Sequence, residues 1–229
     1  MDYKEAAAEL GGEFMVSEEA FLDKINRVKA FVFDWDGVFH AGRKGPGNNF
    51  AEADALGTNM LRFGYWLRNG ELPAFGIITG QHNPAAIAYA NRDHLQGVYS
   101  GILFKKVAIE HFCLTHDVAF ENTSYGFDDI LDLSVAELVG LRFLVRCTGS
   151  PLFREYCKES NYVDYVTGND GGNHAVREIV ELILSAWGIY PEVIERRRRF
   201  DEKYQAYLKE RDAYQPVFYK WNGKEIVPE

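Results

Sequence analysis

The chain has 229 residues, 47% of them hydrophobic and 26% charged, with a formal net charge of −9; that length and apolar share fit one domain with extensions and exclude wholesale disorder. The acidic balance argues against a nucleic-acid or anionic-membrane surface, and no apolar run approaches the roughly 20 residues that cross a bilayer. Cys113, Cys147 and Cys157 are scattered with no Cys-x-x-Cys pair and Met1 to Glu13 lacks the apolar segment of a secretory signal, so a reducing, cytoplasmic setting is expected.

Residues 1–16 read as a loose or helical leader. Ser17 is a candidate N-cap for a helix carrying Phe21, Leu22, Ile25 and Val28 at helical spacing. A buried-type strand follows at about 30–35 and ends in Asp34-Trp35-Asp36-Gly37. Two carboxylates one residue apart repel unless a cation or a proton offsets them. Strand period points both the same way, with Trp35 opposite. The competing reading is an Asp-x-Asp-Gly turn closing a hairpin. Residues 40–58 are Gly-rich and polar and read as a flap or loop, followed by a helix from Asn59 to Arg68.

Ala74 to Ile78 reads as a second strand ending in Thr79-Gly80, and Pro84 opens a helix to about His94. Val98-Tyr99 is a short third strand and Lys105 to Leu114 a helix. Thr123 to Phe127 is a fourth strand meeting Asp128-Asp129. Ser134 to Val139 is a helix stopped by Gly140, Leu141 to Val145 a fifth strand, and Val163 to Val166 a short sixth. Ala175 to Trp187 is a helix ended by Gly188. Ile194 to Tyr214, with Arg196-Arg197-Arg198-Arg199 among acids, reads as a long exposed helix, its basic run a solvated face or an oligomer contact. Alternating strands and helices argue a mostly parallel sheet covered on both faces.

Strand ends of such a sheet converge on one crevice. Here they offer Asp34 and Asp36, then Thr79, then Lys105, then Asp128 and Asp129 with Asp132 one turn on. Carboxylates that hold a hard divalent cation, a nucleophilic carboxylate, a proton shuttle, and a hydroxyl and an ammonium to meet phosphoryl oxygens are the parts phosphoryl transfer needs. No His/Cys set has the spacing of a zinc site.

That ordered set, Asp-x-Asp-Gly-Val, Ile-Ile-Thr-Gly, Lys and Asp-Asp-x-x-Asp, resembles the haloacid dehalogenase (HAD) superfamily. The late run Gly171-Gly172-Asn173-His174-Ala175-Val176-Arg177-Glu178 makes it similar to the capless 3-deoxy-D-manno-octulosonate 8-phosphate phosphatase family. The resemblance covers about Val32 to Trp187. It implies an α/β, Rossmann-like three-layer sandwich without a cap domain: an N-terminal helical extension over 1–29, a phosphatase core over 30–190 and a charged helical tail over 191–229. It implies a Mg²⁺-dependent phosphatase of a small phosphorylated metabolite, a sugar or sugar-acid phosphate. Asp34 would be the nucleophile that forms an aspartyl phosphate, and Asp36 the acid and base. Asp34, the Asp36 carbonyl and Asp128 would bind Mg²⁺, with Asp129 or Asp132 behind them. Thr79 and Lys105, or its neighbour Lys106, would meet the phosphoryl group, and Gly80 and His40 are candidates to touch substrate.

Two departures stand out. Phe127 occupies the position before the acid pair where the family has Gly. The family's Arg-Asp-Gly after the flap matches Ala55-Leu56-Gly57 here, so a guanidinium is absent at that place and octulosonate 8-phosphate is expected to be a poor substrate. The resemblance also implies a homotetramer in which neighbouring segments cover each open site; the flap at 40–58 and the aromatic C-terminal segment are the candidates. The alternative reading is a catalytically weakened HAD-fold binding or assembly protein. No nucleic-acid or membrane partner is expected.

Overall fold

The chain places its apolar runs side by side in one sheet and its amphipathic segments over both faces. The computed structural model describes residues 2–43 and 50–229. In chain order the elements are α1 (Tyr3–Leu10), β1 (Glu13–Phe14), α2 (Glu18–Arg27), β2 (Ala30–Phe33), α3 (Glu52–Asn69), β3 (Ala74–Ile78), α4 (Pro84–Asp93), β4 (Gly97–Ser100), α5 (Lys106–Thr115), β5 (Thr123–Phe127), α6 (Leu133–Ala136), β6 (Leu141–Arg146), α7 (Pro151–Glu159), β7 (Tyr165–Asp170), α8 (Ala175–Ala186), α9 (Tyr190–Arg199), α10 (Glu202–Asp212), β8 (Val217–Trp221) and β9 (Ile226–Pro228). The described residues form a sheet of order β1-β7-β6-β5-β2-β3-β4-β8-β9. Its inner strands run parallel; β1 and β9 close the edges antiparallel.

Strand period divides the core. Phe31 and Phe33 face one cluster with Phe75, Ile77 and residues of α3 and α8. Ala30 and Val32 face the other with Tyr125, Phe127 and residues of α5. The result is a three-layer sandwich. The chain leaves β2 toward β3 on one side and returns to β5 on the other, so the crevice opens at the carboxyl end of β2. Among the described residues, no helix is long and apolar enough to cross a membrane.

Several expectations change. Residues 44–49 of the expected flap lie outside the described residues, and its last part is helix, because α3 begins at Glu52 rather than Asn59. Glu52 and Asp54 in the first turn suit the positive end of the helix dipole. Gly64 also makes this helix necessary for packing, since a Cβ there would stand 2.3 Å from Leu184 on α8. The leader contributes β1, paired with β7. The Ser134–Val139 segment is a shorter helix preceded by a 3₁₀ turn at Ile130–Asp132.

The tail departs furthest. The helix read through 194–214 breaks at Phe200, which takes a left-handed φ of 51°. Asp201 then caps a new helix by accepting from Tyr204 N. Tyr204, Tyr207 and Tyr219 are buried in their own subunit, so these aromatics are core rather than a free interface. Strand β8 extends the parallel sheet beyond β4. The arginine run pairs with its own acids, Arg196 with Glu192 and Asp201, Arg198 and Arg199 with Glu195.

Candidate active site

Strand β2 stops at Phe33, and Asp34 is held at its end by donating its N–H to Gly126 O at 2.8 Å. Gly126 permits that approach: a Cβ there would stand 2.5 Å from the Phe33 ring. The chain then turns through Gly37 with φ at 88°, where a Cβ would stand 1.9 Å from Asp128 Oδ2. Only glycine both adopts this conformation readily and leaves that carboxylate its place. The hairpin reading is therefore set aside, since both neighbours of β2 are parallel strands. The Gly171-Gly172 pair closes on the same turn, Gly172 N donating to Val38 O at 3.2 Å.

Thr79 follows β3, Lys105 immediately precedes α5 and Asp128 follows β5. Asp132 arrives through the 3₁₀ turn, fixed by a reciprocal capping box with Asp129. The Lys105 ammonium lies 2.6 Å from both Asp34 Oδ1 and Asp132 Oδ1. It donates to Asp132 and forms an ion pair with Asp34. Tyr125 OH also donates to Asp132 Oδ1. Asp34, Asp128 and Asp132 each present an oxygen within 4.8 Å of the others.

This cluster carries more negative charge than its lysine offsets. Burial, then the neighbouring Asp132, pushes the Asp34 carboxyl up to about 7 against the pull of Lys105. Burial and repulsion from Asp34 and Asp132 push Asp128 up to about 9. Burial alone would lower the Lys105 ammonium, but the two aspartates outweigh it and hold it above its ordinary range. Asp128 Oδ1 is buried without a hydrogen-bond partner among the described residues. Converging hard oxygens with an unsatisfied carboxylate fit a divalent cation such as Mg²⁺.

A cavity of about 440 Å³ opens over the cluster, lined among others by Asp34, Asp36, Gly80, Lys105 and Asp128. Lys105 rather than Lys106 is the lysine in it. Asp132 enters the cluster, whereas Asp129 stands at the cavity wall, its side chain accepting from Ile130 N. The Asp36 carboxylate turns sideways, accepting from Thr79 Oγ1 at 3.2 Å and lying 3.0 Å from His40 Nε2. His40, a candidate to touch substrate, is a correction: it is 3% exposed, packs by Trp35, accepts from Gly42 N through Nδ1 and does not line the cavity, so it sits behind Asp36. Phe127 is buried and stacked on Tyr125, and leaves Asp128 within the cluster. Ala55, Leu56 and Gly57 lie inside α3 and do not line the cavity; Gly57 faces α8, where a Cβ on it would stand 3.1 Å from Arg177 Cδ.

Sequence reasoning missed Arg146 and Asp170, which also line the cavity. The signal was available for Arg146: like Asp34, it ends an apolar strand.

A scan against models of known protein families finds no match. Solved structures with the same fold include the 3-deoxy-D-manno-octulosonate 8-phosphate phosphatase of Yersinia pestis, 26% identical, TM-score 0.61, covering 74% of this chain and 88% of that one. Another is the cobalt-bound deoxy-D-mannose-octulosonate 8-phosphate phosphatase of Haemophilus influenzae, 25% identical, TM-score 0.60, covering 73% and 95%. The sheet, its acid-bearing strand ends and these neighbours define the class, a HAD-superfamily hydrolase fold. Among curated proteins, the 3-deoxy-D-manno-octulosonate 8-phosphate phosphatases of Escherichia coli K12 and Salmonella typhi are each 31% identical, over 73% of this chain and 85% of theirs. At that identity and coverage the chain belongs to the 3-deoxy-D-manno-octulosonate 8-phosphate phosphatase family.

Proposed function

We propose that the protein is a Mg²⁺-dependent phosphomonoesterase that cleaves a phosphorylated sugar acid. The observation that carries this reading is the buried Asp34 at the end of β2, bridged by Lys105 to Asp132 and closed by Asp128. Family membership supports it, and the HAD relatives named above are phosphatases of that substrate class.

In the proposed reaction Asp34 attacks phosphorus and forms an aspartyl phosphate as the ester P–O bond breaks. Asp36 gives its proton to the leaving alkoxide. It then takes a proton from water as that water attacks phosphorus and frees Asp34. Thr79, itself buried, donates to the Asp36 carboxylate and steadies it. Lys105, fixed between two carboxylates, lowers the repulsion that a phosphoryl group would meet at Asp34. Mg²⁺, held by Asp34, Asp128 and the Asp36 carbonyl with Asp132 in support, would supply the remaining neutralisation of phosphoryl charge.

Ala55, Leu56 and Gly57, which match the family's Arg-Asp-Gly run, do not line the cavity. Octulosonate 8-phosphate therefore belongs on the test panel. The assembly we propose is a homotetramer in the cytoplasm. The exposed Leu103, Phe104, Ile130 and Leu131 beside the site support it: Leu103 and Leu131 line the cavity, and such apolar residues suit a neighbouring subunit.

The experiment is phosphate release from a panel of phosphomonoesters, sugar acids included, with Mg²⁺ and with EDTA. Mg²⁺-dependent release is expected. No release from any ester would favour the second reading, a binding or assembly protein. Light scattering after size exclusion tests the tetramer.

A further inference from the structure

We propose that Arg146 binds the carboxylate of the substrate, setting the preference for acids over neutral sugars; this rests on the sugar-acid phosphatase reading above. The phosphoryl end of such a substrate meets the acid cluster, its cation and Lys105. Its other end carries a second negative charge that the aspartate-lined cavity would repel. Among the described residues lining that cavity, Lys105 and Arg146 are the cations. Lys105 is committed, with a carboxylate oxygen 2.6 Å away on each of two sides.

Arg146 is not. It is the last residue of β6 and is anchored through its backbone, whose N–H donates to Thr167 Oγ1 at 2.9 Å. Its Nη1 donates to Gly168 O at 3.2 Å, and among the described residues its side chain makes no other hydrogen bond. Nε is buried without a partner. The neighbouring acid does not satisfy it: Asp170 Oδ1 lies 3.9 Å from Nε, beyond hydrogen-bond range. Asp170 Oδ2 is taken by the Thr148 hydroxyl at 2.6 Å. The result is a guanidinium held in place on one edge, 37% exposed and lining the cavity, whose Nη2 makes no hydrogen bond among the described residues. A planar fork of that kind matches a carboxylate in two parallel hydrogen bonds, which an ammonium cannot reproduce.

The test uses two open-chain esters that differ at the carboxylate, 6-phosphogluconate and sorbitol 6-phosphate, with p-nitrophenyl phosphate as a common reference. Arg146→Met should raise KM for 6-phosphogluconate by about 10- to 100-fold while kcat stays within about twofold, a loss of binding rather than of chemistry. Sorbitol 6-phosphate and p-nitrophenyl phosphate should be unaffected. Arg146→Lys, which keeps charge without the fork, should fall between. Equal losses on both sugar esters would overturn the proposal and make Arg146 a clasp between β6 and β7. A wild-type protein that prefers sorbitol 6-phosphate would overturn it too, with the phosphatase reading intact. If the wild type hydrolyses nothing, the phosphatase reading fails and Arg146 is judged by calorimetry with 6-phosphogluconate. Binding at least tenfold weaker in Arg146→Met then sustains it, and equal binding overturns it.

Discussion

Two buried carboxylate sites stand at opposite ends of the same sheet. At the amino end Asp164, fully buried, accepts from the Arg142 backbone N–H at 2.8 Å, from Arg142 Nε at 3.0 Å and Nη2 at 2.8 Å, and from Lys24 Nζ at 3.0 Å. At the carboxyl end Asp34, Asp128 and Asp132 share one lysine. The first acid has four donors for its roughly four acceptor sites and ties α2, β6 and the entry to β7 together. The second set has fewer, and Asp34 and Asp128 in it are pushed toward the protonated form. A buried charge that is fully matched holds a fold, and one left short can take up a cation.

The largest effect separates the two ends by chemistry. Asp34→Asn should cut phosphate release by at least about a thousandfold, since an amide cannot form the acyl phosphate. Circular dichroism should show an unchanged fold. Retained activity in the purified variant would remove Asp34 as nucleophile.

Asp164→Ala should do the reverse. Breaking a buried, hydrogen-bonded pair and stranding Arg142 should cost about 3–5 kcal/mol in urea unfolding. The kcat of the folded fraction should hold. A cost under about 1 kcal/mol would mean that water serves Arg142 as well as the carboxylate does.

A third carboxylate lies between these extremes. Asp54 on α3 is fully buried, accepts from Arg177 N at 2.8 Å and leaves its Oδ2 without a partner among the described residues. Burial pushes its carboxyl up to about 6 from the ordinary 3.8, against the Arg177 N–H. The folded protein therefore prefers the protonated acid. That contribution is complete below 3.8 and is lost as pH rises through about 6. Asp54→Asn keeps the acceptor for Arg177 N and removes the titration. It should gain about 2–3 kcal/mol at pH 8 and nothing at pH 3.5. A gain that does not change with pH would contradict this origin.

The parts legible in sequence are those that local pattern controls. Phe31 to Phe33, Ala74 to Ile78 and Thr123 to Phe127 are strand runs broken by polar residues; Asp34 and Asp128 at the breaks line the cavity, and Thr79 is buried behind Asp36, to which it donates. The sequence left Asp129 and Asp132 as alternatives behind the metal ligands, because only the 3₁₀ turn, which no helical spacing shows, brings Asp132 into the cluster. His40 was offered as a substrate contact because nothing local shows that it packs beside Trp35. The flap was drawn too long because Gly57 reads as a loop residue, whereas here it lets α3 approach α8. The tail was misread for a related reason. Its charge run suggests one exposed helix, but the capping residue Asp201 starts another, and β8 finds its partner β4 more than a hundred residues earlier in sequence. No short window contains that pairing.

The carboxyl-end acids are left short of positive charge because, on the reading proposed above, a divalent cation completes them. Thermal unfolding in EDTA and in excess Mg²⁺, for wild type and Asp128→Asn, tests it most directly. At a hundredfold excess over its dissociation constant a bound ion stabilises by about 2.7 kcal/mol. The wild type should therefore melt several degrees higher with Mg²⁺, and Asp128→Asn should lose most of that shift. An equal shift in both proteins, or none in the wild type, would contradict the account.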